Sequence, residues 1–460
     1  MDGEQMDIFS CLFPTFKITK PIRLIELFAG IGAQSKALER IGANFESWRI
    51  CEWATPSILA YSAIHHCSTG KDYTEGMTKG QIADRLAQMG VSSDYNKPMT
   101  TEQTRRLLES KIRSIYNAIE DEHNLVDISK AHGKDFAIEK QENRKHTYIM
   151  TYSFPCQDLS LAGRRAGMEK GSGTRSGLLW EVERILHELE RERELPDVLL
   201  MENVPQVIGA NNINDFNIWY NSLSSMGYRS YVSILNSKDY GIPQNRKRCF
   251  MVSCLGDYYY EFPTKQKSRK TLKELLEHDA PKKYFLSEKM KKYIIRGFGI
   301  TPTRRLFNNR TAGTLTTREG QSRAGQSTYI CDKLPENCSL NQLDFLAIQE
   351  ATKKGYAIAK EGDDVDISAR GNGHRGKVQK EMSQTIKTSI DRGVVVPRID
   401  KFIQTLDIRS LTPLECYRLM GFDDEDFNNA RTVLSDSMLY HTAGDSIVVN
   451  VLEAIFRQML

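Results

Sequence analysis

No run of about 18 apolar residues occurs in the 460-residue chain, so a membrane-spanning helix is not expected. The nine cysteines are scattered and contain no C-x-x-C pair. That spacing indicates neither a zinc site nor a disulfide framework, and it fits a reduced cytoplasm. Met1-Asp2-Gly3-Glu4-Gln5 lacks the basic-then-apolar order of a signal peptide. Net charge is only +4, so the overall balance points to no particular partner and the distribution of charge has to be read instead. A hydrophobic share of 40% and a charged share of 27% describe an ordinary globular chain. Its length suggests about two or three domains.

The chain is organised around Ser153-Phe154-Pro155-Cys156-Gln157-Asp158-Leu159-Ser160. Tyr148, Ile149, Met150, Tyr152 and Phe154 precede Cys156 as a strand would, and a glycine-rich run from Ala162 to Gly177 follows as a loop would. Proline stops a strand, so the Cys156 thiol should project from a strand's carboxyl end, where open α/β sheets bind ligands. The plain alternative is a cysteine packed as a small hydrophobe. The Gly, Ser and Arg residues after Cys156 argue against it.

Upstream, Ile22 to Phe28 reads as a strand, Ala29-Gly30-Ile31-Gly32 as a tight turn, and Gln34 to Ile41 as a helix. Strand, glycine turn and helix open a nucleotide-binding unit, because glycines let backbone N–H groups approach a ligand at a helix N-terminus. Ser35 stands where a third glycine would be. Glu52 follows at the distance where an acidic side chain can bind both hydroxyls of a ribose, and Phe28 and Trp53 could sandwich an adenine. An exposed surface carboxylate and a core phenylalanine are the alternatives for Glu52 and Phe28.

Residues 71–145 read as an elaboration with a helix over Thr104 to Ile119, striped by Leu107, Leu108, Ile112, Ile115 and Ile119. Between Thr100 and Lys145 nine basic residues balance nine acidic ones, which describes a solvated helical face. Beyond Cys156, helices are expected over Leu178 to Leu189 and Trp219 to Met226. Strands are expected over Pro196 to Met201, Tyr228 to Leu235 and Cys249 to Val252. Glu202-Asn203-Val204-Pro205 repeats the pattern of a functional group at a strand end beside a proline turn. Arg246 and Arg248, two apart on an extended segment, point to one side and suit a carbonyl or phosphate; a solvated charge cluster is the alternative.

Phe28-Ala29-Gly30-Ile31-Gly32, Glu52-Trp53, Pro155-Cys156-Gln157, Glu202-Asn203-Val204 and Gln244-x-Arg246-x-Arg248 stand in the order of the motifs of DNA (cytosine-5)-methyltransferases. Arg409 to Phe422 resembles that family's penultimate motif, and Gly444-Asp445-Ser446-Ile447-Val448-Val449-Asn450-Val451 its last. The chain thus resembles the bacterial and phage, restriction-modification form of the family over residues 22–460, apart from the elaboration and a variable region. Asp445 departs from the family's usual asparagine, and the gap between Glu52 and Cys156 is longer than in compact members.

The resemblance implies a Rossmann-like α/β fold that binds S-adenosylmethionine, with a smaller, mostly β or irregular target-recognition domain. It implies methyl transfer to C5 of a flipped-out cytosine in duplex DNA, with S-adenosylhomocysteine as product. Cys156 would attack C6, a protonated Glu202 would donate to N3, Arg248 would bind O2, and Arg246 would support Glu202 or the loop. Phe28 and Trp53 would contact adenine, with Asp127 as the adenine-contacting acid. Glu52 would bind the ribose, the backbone at Gly30 and Gly32 the methionine tail, and Asp445 and Ser446 would add cofactor contacts. No metal is implied.

Lys265 to Arg310 holds 14 basic and 4 acidic residues, a phosphate-binding footprint. Gly313 to Arg318 and Gln384 to Ser389 look alike, and the polar loop Gly371 to Lys377 suits base edges. The expected organisation is a catalytic, cofactor-binding domain over 20–263, a target-recognition domain over 264–425, and a segment over 426–460 that returns to the catalytic domain. A monomer acting on DNA in the cytoplasm is expected, with a restriction endonuclease as a functional companion by analogy. An RNA cytosine-5 methyltransferase and a catalytically silent DNA-binding protein are the competing readings.

Overall fold

The structure is a computed structural model and describes residues 13–155, 159, 167–171, 174–266, 272–284 and 411–460, with segments 345–349, 356–360, 363–366, 378–380, 383–384, 392–397 and 406–410 between them. Cys156, Arg164 and Arg165, the segment 313–318, the loop 371–377 and most of the basic run lie outside the described residues. The chain divides into two compact units. The first holds Met1–Gly241, Lys247–Lys267 and Met420–Leu460; the second holds Ile242–Arg246 and Ser268–Leu419.

In chain order the first unit begins with β1 (Ile22–Leu27), α1 (Ala33–Arg40), β2 (Phe45–Cys51) and α2 (Thr55–Ile64). The elaboration follows as α3 (Lys79–Met89), α4 (Thr101–Arg106) and α5 (Glu109–Asp121). Then come β3 (Thr147–Tyr152), α6 (Leu179–Glu192), β4 (Val198–Asn203), α7 (Ile213–Ser225) and β5 (Tyr228–Asn236). The two-residue β6 (Gln244–Asn245) belongs to the second unit, and β7 (Lys247–Leu255) returns to the first. Among the described residues six strands form one sheet in the order β2-β1-β3-β4-β7-β5. Its first four strands are mutually parallel, and β7 runs antiparallel to both β4 and β5. Every residue of β3 and β4 is buried, as strands covered by helices on both faces require. Helix α6 lays Leu179, Val182, Ile185, Leu186 and Leu189 into that core and keeps Arg184 outside, paired with Glu181 and Glu188.

The helix expected over Thr104 to Ile119 is two helices. Leu107 and Leu108 are extended, with ψ of 156° and 144°, and separate α4 from α5. Thr104 Oγ1 donates to the Ala83 carbonyl at 2.9 Å and fixes α4 on α3. Leu108 is 74% exposed and so does not belong to the apolar stripe. Ile112, Ile115 and Ile119 do turn inward, against Ile58, Ile82 and Leu86, giving the elaboration a core shared with α2. Capping boxes start α3 (Thr78, Gln81) and α4 (Thr100, Gln103). Helix α7 begins well before the expected Trp219, so that Phe216, Trp219 and Leu223 share its buried face.

In the second unit β8 (Phe345–Gln349) pairs antiparallel with β9 (Tyr356–Lys360). β10 (Asp364–Asp366), β11 (Val378–Gln379), β13 (Arg392–Pro397) and β14 (Leu406–Ser410) form an antiparallel sheet in the order β11-β10-β13-β14. The short β12 (Ser383–Gln384) pairs with β6. Helix α8 (Pro413–Leu419) follows, opened by Thr412, whose N–H donates to Glu415 Oε2 at 2.8 Å.

The first unit is completed by α9 (Asp424–Val433), α10 (Asp436–Asp445) and α11 (Val449–Arg457). These dock on α1 through Lys36 with Asp426 (2.9 Å) and Arg40 with Glu453 (2.7 Å). Among the described residues no helix is long and apolar enough to cross a membrane.

Gly421 enters this packing at φ +83°, and a Cβ there would lie 2.5 Å from Asn450 Oδ1 and 3.2 Å from Val449 Cβ. Gly42 shares a positive φ of +69° but would meet nothing within 4 Å. Thermal unfolding of the two alanine variants separates backbone strain from collision. Gly42→Ala should cost about 1 kcal/mol and Gly421→Ala at least about 2 kcal/mol more. Equal losses would contradict the collision.

Candidate active site

The four parallel strands end together, Leu27 opposite both Cys51 and Tyr152, and Tyr152 opposite Met201. Past that line lie Phe28, Glu52, Phe154 and Glu202. Phe28 adopts φ +58°, a left-handed conformation uncommon for a phenylalanine, and its N–H donates to the Cys51 carbonyl at 2.8 Å. Its ring is half-buried against the sheet's core, while Trp53 packs on the core of the elaboration. Gly30 has φ +58°, and a Cβ there would meet nothing within 4 Å. Gly32 has φ +75°, and a Cβ there would lie 2.1 Å from His65 Nε2. The turn is therefore packed on its inner side and open above Gly30, the shape of a cradle.

Glu52 is buried beside the turn. Its Oε2 accepts from Gly30 N–H at 2.9 Å and its Oε1 from Ala54 N–H at 2.8 Å. Burial raises this carboxyl from 4.5 to about 7, against those backbone donors, and the Asp445 charge adds to the rise. A carboxylate offers about four lone-pair sites. Backbone donors at Gly30 and Ala54 use two of them and Trp53 adds a third, which leaves about one for a hydroxyl donor.

Asp127 follows a segment tied to the end of β2, where Leu125 N–H donates to the Ile50 carbonyl at 2.9 Å. Its Oδ1 accepts from Ser129 N–H (3.0 Å) and Oγ (2.7 Å), and its Oδ2 lies 3.4 Å from Lys130 Nζ. Cys51 Sγ lies 3.4 Å from the Val126 carbonyl, which brings the segment before Asp127 to the end of β2, and burial, then the charges of Glu52 and Asp127, push the Cys51 thiol well up. Asp445 ends α10 with its Oδ2 3.1 Å from His441 Nε2. Ser446 is buried, with its N–H donating to the Thr442 carbonyl at 3.1 Å and its Oγ to the Ile447 carbonyl at 3.3 Å.

At the ends of β3 and β4, Asn203 Nδ2 donates to the Phe154 carbonyl at 3.0 Å and Ser176 Oγ to the Pro155 carbonyl at 2.7 Å. The two peptides before Cys156 are thereby anchored. Glu202, 7% exposed, pairs through Oε1 with Arg248 Nε at 2.9 Å. The segment bearing the two arginines is not one strand. The chain leaves β6, paired with β12, at Asn245, and enters β7, paired with β4 and β5, at Lys247, leaving buried Arg246 between them in the second unit. The structure thus brings together Glu202 and Arg248 in one place, and Phe28, Gly30, Gly32 and Glu52 in another.

Sequence reasoning gave no role to several residues found here. Ser35 Oγ donates to buried Glu26 Oε2 at 2.6 Å, and Tyr61 Oη to the same atom at 2.6 Å. The residue in place of the third glycine thus joins α1 to β1; an acid nine residues earlier, in an apolar strand, was the available signal. Asn203 sat inside a recognised motif, but its bond to Phe154 spans 49 residues and leaves no local pattern. Among the described residues no group of three or more His, Cys, Asp or Glu is placed to hold a metal ion.

Comparison with known proteins bears on this arrangement. A family described as C-5 cytosine-specific DNA methylase matches residues 103–460. The orphan methyltransferase M.SssI of Spiroplasma monobiae is 30% identical over 443 residues, covering 95% of this chain and 97% of that protein. The type II methyltransferase M2.ScrFI of Lactococcus lactis subsp. cremoris is 29% identical over 443 residues, covering 95% and 99%. The structure of the Entamoeba histolytica methyltransferase EhMeth superposes with a TM-score of 0.50 at 14% identity, covering 96% of this chain and 98% of that one, and speaks for the fold alone. The α/β sheet is that of a methyltransferase, and the chain belongs to the C-5 cytosine-specific DNA methylase family, enzymes that methylate cytosine in DNA.

Proposed function

We propose that this enzyme moves the methyl group of S-adenosylmethionine to C5 of one cytosine in a specific duplex sequence, flipping the base out and holding it covalently on Cys156. The observation that carries this is the junction of β3 and β4, where Asn203 and Ser176 anchor the peptides leading to Cys156 and Glu202 pairs with Arg248.

Cytosine C5 is a weak nucleophile. The Cys156 thiolate adds its electron pair to C6, and the ring's electrons move toward N3, where Glu202 donates a proton while Arg248 holds O2. C5 then carries enamine density. S-adenosylmethionine, when bound, supplies a methyl carried on a positive sulfur, the electrophile that C5 needs. A base then takes the C5 proton; the C–H electrons restore the ring double bond, Cys156 leaves as thiolate, and the N3 proton returns to Glu202. Burial is the largest cause pushing the thiols of Cys67, Cys249 and Cys254 up to about 12, so these are poor sources of thiolate.

The open cradle at Gly30 and the remaining acceptor capacity of Glu52 fit S-adenosylmethionine. Phe28, Trp53 and Asp127 would hold its adenine, Glu52 its ribose hydroxyls, the backbone at Gly30 and Gly32 its methionine part, and Asp445 and Ser446 would line the rim. We assign DNA recognition to residues 264–425, whose basic run suits phosphates, and catalysis to 20–263 completed by 426–460. Action as a monomer in the cytoplasm completes the proposal. A companion endonuclease draws no support from M.SssI, whose name describes an orphan methyltransferase.

Duplex DNA carrying 5-fluorocytosine in its target should form an adduct that survives denaturation, and Cys156→Ser should form none; a persistent adduct would remove Cys156 from the mechanism. Glu202→Gln should slow adduct formation by about a hundredfold or more with cofactor binding intact.

Cofactor binding should depend on pH through Glu52, whose folded value of about 7 lies above the ordinary 4.5. Between those values the folded chain keeps a proton that the unfolded chain has released, so stability falls as pH rises through that window. The ionised carboxylate is the better acceptor for ribose, so S-adenosylmethionine should bind more tightly at about pH 8 than at about pH 6. Titration calorimetry should find that dependence flattened in Glu52→Gln.

A further inference from the structure

The glycine turn between β1 and α1 is held by hydrogen bonds, one of which comes from a side chain without a role so far. Gly32 N–H donates to the Ala29 carbonyl at 3.0 Å, which makes Ala29 to Gly32 a β-turn. Gly30 N–H donates to Glu52 Oε2 at 2.9 Å. His65, the residue that follows α2, places Nε2 3.1 Å from the Ile31 carbonyl. A carbonyl only accepts, so Nε2 carries the proton and donates it.

These bonds sort the peptides of the turn. The Ala29–Gly30 peptide uses both its groups, the carbonyl on Gly32 and the N–H on Glu52. The Ile31–Gly32 peptide also uses both, the carbonyl on His65 and the N–H on Ala29. Among the described residues the Gly30–Ile31 peptide between them takes no hydrogen-bond partner, and Gly30 is where a Cβ would meet nothing within 4 Å. The inner side is closed by His65 itself. Its ring lies on Tyr61 with centroids 4.5 Å apart, and a Cβ at Gly32 would lie 2.1 Å from His65 Nε2 and 2.6 Å from Tyr61 Cε2. Tyr61 is anchored in turn, its Oη donating to Glu26 Oε2 at 2.6 Å and lying 2.9 Å from Ser47 Oγ.

The methionine part of S-adenosylmethionine ends in a carboxylate, which accepts from N–H groups and is repelled by carbonyl oxygens. A carbonyl deprived of its donor turns toward another, and water or a ligand on the open side of this turn would offer one. We propose that His65 is a positioning residue for the cofactor: its Nε2–H keeps the Ile31 carbonyl on the inner side of the turn and leaves the Gly30–Ile31 peptide to meet the methionine part. This rests on the cofactor reading given above. His65 acts through the turn and touches neither the cofactor nor the cytosine.

Titration calorimetry of the full chain with S-adenosylhomocysteine, which carries the same carboxylate-bearing end, tests it in His65→Gln and His65→Met. The two replacements are close in length, and only glutamine brings an N–H donor. His65→Met should weaken binding by about fivefold or more, as expected for one hydrogen bond, and His65→Gln should stay within about twofold of the original protein. Both lose the ring on Tyr61 and should unfold at similar temperatures, so the difference in affinity reads the donor and not the packing. Should His65→Met not fold, His65→Leu, equally without a donor, carries the same expectation. Unchanged affinity in the donorless variant, or equal loss in both, would overturn the assignment while leaving the cofactor reading in place. Failure of the unaltered protein to bind the compound would instead remove the cofactor reading and this inference with it.

Discussion

Parallel pairing in a common register is the constraint on which the site depends. With Leu27 opposite Cys51 and Tyr152, and Tyr152 opposite Met201, four strands end on one line. Residues far apart in sequence then emerge side by side: Phe28 after β1, Glu52 after β2, Pro155 after β3, and Glu202 at the end of β4. A slip of one residue in any strand would turn its side chains to the opposite face and take its functional group out of the set. The reversed strand β7 serves the same edge from the other direction, entering beside it with Arg248 and reaching Glu202.

Holding that edge requires buried charge to be satisfied. An unpaired carboxylate in the interior costs several kcal/mol, and Glu26 and Glu52 each have an answer to that cost. Glu26 takes hydrogen bonds from Ser35 and Tyr61, which fixes the start of α1 beneath the glycine turn. Glu52 takes two backbone N–H groups from the turn and from the segment leading into α2. His65 fills the space that Gly32 leaves, Nε2 lying 3.1 Å from the Ile31 carbonyl, and burial lowers its pKa to about 4, so the ring is neutral near neutrality. The last helices complete the support from outside, through the pairs of Lys36 and Arg40 with Asp426 and Glu453. The helix that follows the glycine turn is thus held by residues from the chain's final forty.

Much of this was legible in the sequence, because short motifs at strand ends carry their own local signal. Glycines at positive φ, a proline after a strand and an acid after an apolar run mark Gly30, Gly32, Glu52 and Glu202 without any knowledge of the fold. What stayed hidden shares a physical cause. The bonds from Asn203 to Phe154 and from His65 to Ile31 join residues that no periodicity relates. The break between α4 and α5 was missed because Leu107 and Leu108 continue an apolar spacing, yet Leu108 is exposed and tertiary packing of Thr104 on α3 decides where α4 ends. Similarly, Arg246 and Arg248 alternate as a strand would, but the chain changes pairing partner between them.

The central claim is methylation of C5 of cytosine in a defined DNA sequence. It is tested most directly by mapping 5-methylcytosine at base resolution on plasmid DNA from cells expressing this chain. The account predicts one short sequence methylated near completion, absent from plasmid made with Cys156→Ser. Unmethylated DNA from cells containing the folded, cofactor-binding protein would contradict it, and tritium transfer to RNA in place of DNA would redirect the same chemistry to another nucleic acid.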